Sequence, residues 1–440
     1  MRRLVSVFLF FGITTSFSQT NPDSIKDRDW SIHGQATSIW QYHLPFKADY
    51  TNPGSHSLDT SESGKVSFTA TLYVGRKLWK NATIYVNPEV AGGSGLSSAM
   101  GIAGFPNGET FRIGSPKLKL YLARLYLEQK FALGSGTDVE SDDQNQVQQH
   151  VPARYISVRA GKFSIADFYD DNSYSHDPRT QFMNWSLMSN GAWDYPANTR
   201  GYTIGAVIEY HTPSWATRIS MTQMPTYANG PKLDNDIAHA YGFTWEGEEK
   251  IRLIPNRHGV IRLLLFHNLA KMGNYEEAVR KNPVTPDITS VRTDPKTKNG
   301  IGISMEHEVS DNAGVFIRAS WNDGKNETWA FTEIDQSISG GIALNGAAWK
   351  RKNDAFGAAV VINGISGPHR DYLKAGGYGF IIGDGYLNYG HEAIFETYYK
   401  FTIPKIFLSI SPDYQFVINP AYNKDRGPVH IIGIRGHLEI

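Results

Sequence analysis

The chain has 440 residues, equal numbers of basic and acidic side chains, 43 of each, and no cysteine. A zero formal charge argues against a nucleic-acid-binding protein, which needs a basic excess to displace counterions from phosphates. The absence of cysteine excludes disulfides, thiolate metal sites and a cysteine nucleophile. The 42 Gly, 23 Tyr, 22 Phe and 10 Trp favour an all-β protein, because aromatic side chains suit pleated surfaces and glycine suits turns.

The N-terminus has the pattern of an export signal. Arg2 and Arg3 precede the apolar stretch 4–17, and Ser16 and Ser18 place small residues before a cleavage point at Gln19. The apolar stretch is shorter than the roughly 20 residues that a membrane-spanning helix needs. We therefore predict a cleaved signal peptide at 1–18, a short lead at 19–29 and one domain at 30–440.

Polar and apolar residues alternate with a period of two along much of this domain. Ser67, Thr69 and Thr71, for example, alternate with Phe68 and Leu72. Such alternation is typical of strands with one wet and one apolar face, and lengths of about 10 to 14 residues suffice to cross a bilayer at a tilt. The pattern predicts sixteen strands, at 30–43, 65–78, 80–90, 118–133, 153–164, 200–211, 215–224, 237–250, 258–268, 298–309, 313–322, 339–351, 354–364, 390–402, 405–417 and 429–440.

The connections between these strands fall into two classes. Those after odd-numbered strands are long, and those after even-numbered strands are short, with the polar segment 134–152 as the exception. Long loops at one rim and short turns at the other are typical of an outer-membrane barrel. Aromatic residues near the strand ends fit the interfacial girdles of such a barrel: Trp30, Trp40, Tyr42, Trp79, Tyr210, Trp215, Trp245, Trp321, Trp349 and Phe401. The predicted fold is a transmembrane antiparallel β-barrel of about sixteen strands.

Sixteen strands enclose a channel wide enough for water, so inward side chains and inward loops would determine what passes. A solvated, self-neutralising lumen without binding sites is the alternative interpretation of these residues. The alternation places the following side chains inward: Asn87, Glu89, Arg124, Glu128, Glu209, Arg218, Ser220, Thr222, Glu306, Arg318, Ser320, Glu392 and Glu396.

The third long connection, 165–199, combines polar with aromatic residues. Phe168, Tyr169, Phe182 and Trp185 would be shielded from water if this loop folded into the barrel and narrowed it. Aromatic rings beside Asp, Asn and Arg would also suit a sugar, which has an apolar face and a hydroxyl rim. Packing of the loop on the wall without any ligand is the alternative.

Three sharper motifs do not support a metal or an enzyme. Asp167, Asp170, Asp171 and Asn172 lack the spacing and the glycine of an EF-hand loop. Asp170 and Asp171 are adjacent, which rarely presents two carboxyls to one glycosidic bond. No Walker signature follows the glycines that begin at Gly92. We expect no metal, no cofactor and no catalytic residue.

Several segments resemble the carbohydrate-selective porins of the OprB family. They are His33-Gly-Gln-Ala-Thr, Ala103-Gly-Phe-Pro-Asn-Gly-Glu109, the stretch 174–185 with His-Asp-Pro-Arg-Thr-Gln-Phe-Met-Asn-Trp, and Pro412-Asp-Tyr-Gln-Phe-Val-Ile-Asn-Pro420 with Asp425-Arg-Gly-Pro-Val429. The resemblance implies a sixteen-stranded barrel through which monosaccharides diffuse passively, with a constriction of inward loops, arginines and acids. Ile440 departs from the aromatic residue with which such barrels usually end.

The residues and the resemblance together predict a porin in the outer membrane of a Gram-negative bacterium. The expected partners are carbohydrates, outer-membrane lipid and the barrel-assembly machinery, with no nucleic acid; monomer and trimer both remain open. The alternatives are a porin for anions or organic acids, which the inward arginines would favour, and a closed barrel that serves as an enzyme or adhesin. The candidate pore-lining residues are Asn87, Glu89, Arg124, Asp170, Asp171, Asn172, Arg179, Asn184, Trp185 and Arg318.

Overall fold

The computed structural model describes residues 26–49, 56–112 and 115–440, so the predicted signal peptide at 1–18 lies outside the described residues. Sixteen strands form one closed antiparallel sheet, and a separate two-stranded hairpin, β5–β6, completes the β-structure described. The strands are β1 Trp30–His43, β2 Lys65–Trp79, β3 Ala82–Gly93, β4 Lys119–Ala132, β5 Thr137–Glu140, β6 Gln149–Pro152, β7 Tyr155–Phe163, β8 Thr203–His211, β9 Trp215–Gln223, β10 Tyr241–Ile251, β11 Gly259–Ala270, β12 Lys296–Ser310, β13 Ala313–Asn322, β14 Gln336–Asn345, β15 Ala355–Gly364, β16 Glu392–Ile403, β17 Leu408–Ile418 and β18 Val429–Glu439.

The barrel closes between its first and last strands, where Gln35 of β1 lies opposite Glu439 of β18. Closure removes every open sheet edge, which is the condition for placing strands in a bilayer. The predicted alternation is present along β18: Ile432, Ile434 and Leu438 are exposed on the outside, whereas Arg435 and His437 are buried inside. The predicted fold class is therefore confirmed.

The two rims of the barrel differ as predicted. The rim with the long connections is here named the outer rim, and the rim with mostly short connections is named the inner rim. The connections at the outer rim, such as 164–202 and 365–391, are long and carry the helices α1 Trp185–Met188, α2 Tyr275–Lys281 and α3 Gly367–Lys374. Most connections at the inner rim are short, with two residues between β2 and β3 and three between β8 and β9. Trp30 and Trp79 lie exposed at the inner rim and Trp40 and Trp321 lie exposed toward the outer one. Among the described residues, no helix has the length and apolar character needed to cross a membrane.

Each predicted strand corresponds to one barrel strand, and the largest boundary error is at β14. This strand was predicted at 339–351, but it ends at Asn345, whose side chain caps the 3-10 turn Gly346–Trp349 by accepting the Ala347 N–H. A second turn, Pro404–Ile406, delays the start of β17 to Leu408. Both turns break strand periodicity locally, and at the first one the capping side chain of Asn345 offers the backbone another partner.

Two long connections of the outer rim fold into the barrel, and they create an internal core. Segment 164–202, predicted to fold inward, is joined by segment 94–112, for which no inward fold was predicted. Phe105 of segment 94–112 and Phe182 and Trp193 of segment 164–202 are fully buried. These segments occupy the side of the lumen bounded by β12–β18, here named the filled half. The side bounded by β1–β4 and β7–β9 is named the open half, and β10 and β11 lie between them.

Candidate pore and its constriction

The open half contains a cavity of about 870 Å³. Its wall is formed by inward side chains of β1–β4 and β7–β11, and its other side by the two inserted segments and the hairpin β5–β6. The lining extends from Phe111 and Arg200 near the outer rim to Tyr155 and His211 at the inner rim. The lining residues thus span the barrel from one rim to the other, as passage of a solute requires.

Arg179 of the inserted segment 164–202 reaches across to the wall of the open half. Its guanidinium donates to Glu109 at 3.0 Å, to Glu89 at 3.2 Å and to the hydroxyl of Tyr73 at 3.0 Å. Glu89 also accepts hydrogen bonds from Tyr121 and Tyr202. The planar, forked guanidinium suits several acceptors at once. Arg179 and the neighbouring donors and acceptors thus form a fixed group across the cavity, here named the belt.

A second arginine of this belt is held by a carboxylate from the same inserted segment. Arg124 of β4 donates two parallel hydrogen bonds to Asp167, at 2.7 and 2.6 Å. Arg200 lies instead on aromatic faces, 4.3 Å from the ring centre of Tyr121 and 4.7 Å from that of Phe111. Guanidinium groups stacked on rings remain able to donate in the plane of the fork.

Toward the inner rim, arginines and glutamates of neighbouring strands form a ladder. Arg159 pairs with Glu128 at 2.7 Å, Arg218 with Glu209 at 2.9 Å, and Arg262 of β11 pairs with Glu248 of β10 at 3.0 Å. Cross-strand neighbours of opposite charge compensate each other, so this part of the cavity carries fixed but largely balanced charge.

A sequence model of a protein family, described as the carbohydrate-selective porin OprB family, matches residues 55–439. The chain belongs to this family. Its barrel and family place this OprB-family porin in the outer membrane of Gram-negative bacteria and indicate a channel. The outer rim is thus the extracellular one and the inner rim the periplasmic one.

Individual relatives of the porin are distant in sequence. Porin AaxA of Chlamydia felis (strain Fe/C-56) is 20% identical over 405 residues, which cover 91% of this chain and 71% of that protein. The high-pH structure of Pseudomonas putida OprB has a TM-score of 0.71 at 15% identity and covers 94% of both chains. Salmonella typhi OmpF, solved in complex with daunomycin, has a TM-score of 0.50 at 8% identity and covers 93% of this chain and 97% of that one. At these identities the structures support the fold alone.

Five of the predicted pore-lining residues do line the cavity of this porin. Glu89, Arg124, Asp171, Arg179 and Trp185 all contribute to its surface, and the first four supply charge. Glu89 and Arg179 are in direct contact. The Trp185 indole packs against Phe105 and Phe331 and donates to the Asn107 carbonyl, so only part of it faces the cavity.

The remaining five lie elsewhere, which corrects their predicted position. Asp170 and Arg318 form a buried ion pair at 3.0 Å between the inserted segment and β13. Asn172 donates to Ser304, and Asn184 caps α1 and donates to Gln415. Both are buried at the contact between segment and wall. Asn87 is covered by Asn145 of the hairpin, to which it donates at 2.9 Å.

The acidic group considered for calcium does not converge on one point. Asp167 is bound by Arg124, and Asp170 by Arg318 and by the backbone N–H of Asn190 at 2.6 Å. These two carboxylates therefore already have different partners. Within the described part of the chain, no cluster of three or more His, Asp or Glu residues could hold a metal ion.

Sequence reasoning missed several residues of the belt. Glu109 was overlooked because segment 94–112 was not expected to fold inward, and Tyr73 was not named among the inward candidates. The signal for Tyr73 was its position in the polar face of β2, together with Ser67 and Thr71. Arg200 was predicted as the first residue of the strand 200–211, but β8 begins at Thr203, and no sequence signal indicated its place at the cavity.

Proposed function

We propose that this porin allows passive diffusion of monosaccharides through the cavity of its open half. The main support for the proposal is the belt around Arg179, in which paired donors and acceptors face a space lined by aromatic side chains. A neutral solute with many hydroxyl groups can exchange hydrogen bonds with such a belt step by step. The paired charges of the belt largely cancel, so the belt has no large net charge that would trap an ion.

The aromatic side chains of the cavity support the same solute class. Tyr121, Tyr202 and Phe111 lie beside the arginines, and Trp185 and Phe331 lie on the facing side. Sugar rings have an apolar C–H face that packs on aromatic rings, while their hydroxyls reach neighbouring polar groups. The size of the cavity is in the range of pockets that hold small molecules.

A porin for organic anions is the second candidate, and Arg200 is the residue that favours it. Its guanidinium rests on rings near the extracellular end of the cavity, whereas Arg124, Arg179 and Arg218 are each bound to carboxylates. Reversal potentials in a salt gradient separate the two functions, since strong anion preference would contradict the proposed neutral pathway.

Liposome swelling with hexoses, a disaccharide, amino acids and organic anions tests the proposal directly. We expect hexoses to pass faster than anions and amino acids of similar size. In planar bilayers, glucose should lower the single-channel current, and Trp185→Ala should weaken this block more than it changes ion conductance. Trp321→Ala, at a lipid-facing tryptophan, is the matched control and should change neither. A channel that conducts ions but ignores sugars would contradict the proposal.

A further inference from the structure

The periplasmic connection between β4 and β7, residues 133–154, does not extend away from the barrel. It forms the hairpin β5–β6, whose tip, 141–148, enters the lumen. Asn145 contacts Asn87 of β3, and Gln144 donates to Gln35 of β1 at 3.3 Å and to Glu439 of β18 at 2.8 Å. Gln35 and Asn87 face inward and lie five residues from the periplasmic ends of their strands, whereas Glu439 is the last residue of β18, at the periplasmic rim. The tip therefore enters the periplasmic mouth of the barrel.

An apolar contact and a close backbone fit hold the tip against the wall. Val147 is fully buried, although it belongs to a turn at the barrel mouth. A Cβ atom at Gly75 would come within 2.8 Å of its side chain and 3.0 Å of the ring of Tyr85. Gly75 thus leaves room for Val147, and the packed contact fixes the depth to which the hairpin enters.

The lead before β1 ties one side of the hairpin to the barrel. The Arg28 N–H donates to the Gln148 carbonyl at 2.8 Å, and its guanidinium binds Asp142 at 2.7 Å. Asp27 accepts from the His150 backbone at 2.8 Å and from Lys77 of β2 at 2.7 Å. A hairpin bound along one side by the lead and at its tip by the wall has few ways to swing out.

The hairpin also contributes to the cavity surface. Glu140, Asp143, Gln144, Asn145 and Gln146 line the cavity near its periplasmic end. The wall across from them carries the arginine–glutamate ladder of β7–β11. Any solute that has passed the Arg179 belt leaves between these two surfaces.

We propose that the hairpin β5–β6 is a fixed periplasmic narrowing of the pore, which sets its upper size limit for hydroxylated solutes. It is separate from the belt around Arg179 and acts on the solute after that belt. The carboxamides of Gln144, Asn145 and Gln146 both donate and accept, so they can contact neutral hydroxylated solutes without adding charge. This inference rests on the proposed passive diffusion. It adds the part of the pore that limits solute size at the periplasmic exit.

The backbone geometry allows the hairpin to be deleted with β4 and β7 joined by a short turn. Leu133 donates to the Arg154 carbonyl at 2.8 Å, so these residues already face each other directly beyond Ala132 and Tyr155, the last pair of the β4–β7 ladder. Replacing 134–153 by Asn-Gly therefore closes β4 onto β7 with a favoured two-residue turn. Shortening the turn 346–354, which does not line the cavity, is the matched control.

We expect the deletion to raise single-channel conductance by about twofold and to admit a trisaccharide that the unaltered porin excludes from liposomes. Val147→Asp should act in the same direction by undocking the tip, because a buried charge lacks a partner there. Val284→Asp, at a valine that is 78% exposed in an extracellular loop, is its control. Heat-modifiable migration on gels establishes that each barrel is folded.

The outcomes separate this inference from the proposed function. Hexose passage through the unaltered porin, with unchanged conductance and size limit in both folded hairpin variants, would overturn the inference alone. Absence of hexose passage in the unaltered porin would overturn the proposed function. If the deletion does not fold, the Val147→Asp result decides, with a raised size limit supporting the inference and an unchanged one refuting it.

Discussion

The two halves of the lumen use the same kind of inward side chain for different purposes. In the filled half, Glu392 accepts the backbone N–H groups of Ala103 and Gly104 at 3.0 and 2.7 Å. In the open half, Glu128 and Glu209 accept from arginines of the neighbouring strands. The backbone N–H groups of an inserted loop lose their hydrogen bonds to water. Inward carboxylates of the wall accept hydrogen bonds from these groups instead.

This difference shows how a barrel wide enough for a channel can be half closed. The carboxylates of the filled half bind the inserted segments rather than a solute, whereas those of the open half remain at the cavity surface with arginine partners. Inward orientation is thus common to both halves, and the partner of each carboxylate determines whether it supports the structure or the passage.

The largest effect is expected when the ion pair between Asp170 and Arg318 is broken. Arg318→Ala removes the cation paired with the Asp170 carboxylate and one of the donors to the Leu187 carbonyl, both in a buried site. Removing one member of a buried pair costs about 3–5 kcal/mol. Segment 164–202 should detach from β13, and bilayer recordings should show larger, unsteady currents.

Arg257→Ala is the matched control for this variant, because Arg257 pairs with the exposed Asp311 at the periplasmic rim. Exposed pairs contribute little to stability, so its currents should match those of the unaltered porin. Steady currents of ordinary size in Arg318→Ala would show that the filled half does not depend on this pair.

A smaller effect, on selectivity rather than on the fold, is expected from Arg179 in the open half. Arg179→Ala leaves Glu89 and Glu109 without their shared cation. We expect the ratio of cation to anion permeability to rise severalfold, because unbalanced carboxylates at a narrow point attract cations. Reversal potentials in a KCl gradient measure this ratio.

Arg179→Lys distinguishes charge from shape at the same position. Lysine keeps the positive charge but not the planar fork that binds three acceptors at once. Ion selectivity should therefore stay close to that of the unaltered porin, while block by glucose weakens. If alanine and lysine behave alike in both measurements, the belt does not control passage.

The barrel was predictable from the sequence, because its signal is local and repeated. Each strand carries its own alternation, as in β2, where Ser67, Thr69 and Thr71 face inward and Leu72 faces lipid. Sixteen weak signals reinforce one another, and the long and short connections set the strand directions. The largest boundary error arose where the capping residue Asn345 redirects the backbone.

The pore lining was less predictable, because alternation indicates orientation and not distance to the nearest loop. Arg124 and Arg318 have the same inward pattern, but one meets the cavity and the other meets Asp170. Which wall a loop covers depends on its path across the lumen, and contacts such as that of Gly104 with Glu392 join residues far apart in the chain. The hairpin at 133–154 was recognised as unusual, but nothing in its composition showed that it turns inward.

The smallest effect is expected at the extracellular end of the filled half, and it depends on pH. Asp335 lies just before β14 and accepts the Ser366 N–H at 2.9 Å and a hydrogen bond from His369 at 3.0 Å, which together hold α3 in place. Burial raises the pKa of Asp335, but the charge of His369, this hydrogen bond and Lys298 outweigh burial and lower the pKa to about 2. A folded pKa below the ordinary 3.8 means that the stabilisation is fully present above pH 4 and is lost as pH falls toward 2.

Limited proteolysis with an acid-active protease measures this loss at α3. Between pH 4 and pH 2 the loop that contains α3 should become cleavable, with a destabilisation on the order of 2 kcal/mol, while the barrel strands stay protected. Asp335→Asn should be cleavable already at pH 4, because the neutral amide keeps the size of the side chain but loses the attraction to Lys298 and His369. Equal cleavage of the two proteins at pH 4 would mean that the loops over the filled half are held by the segments inside it, and that Asp335 adds nothing to them.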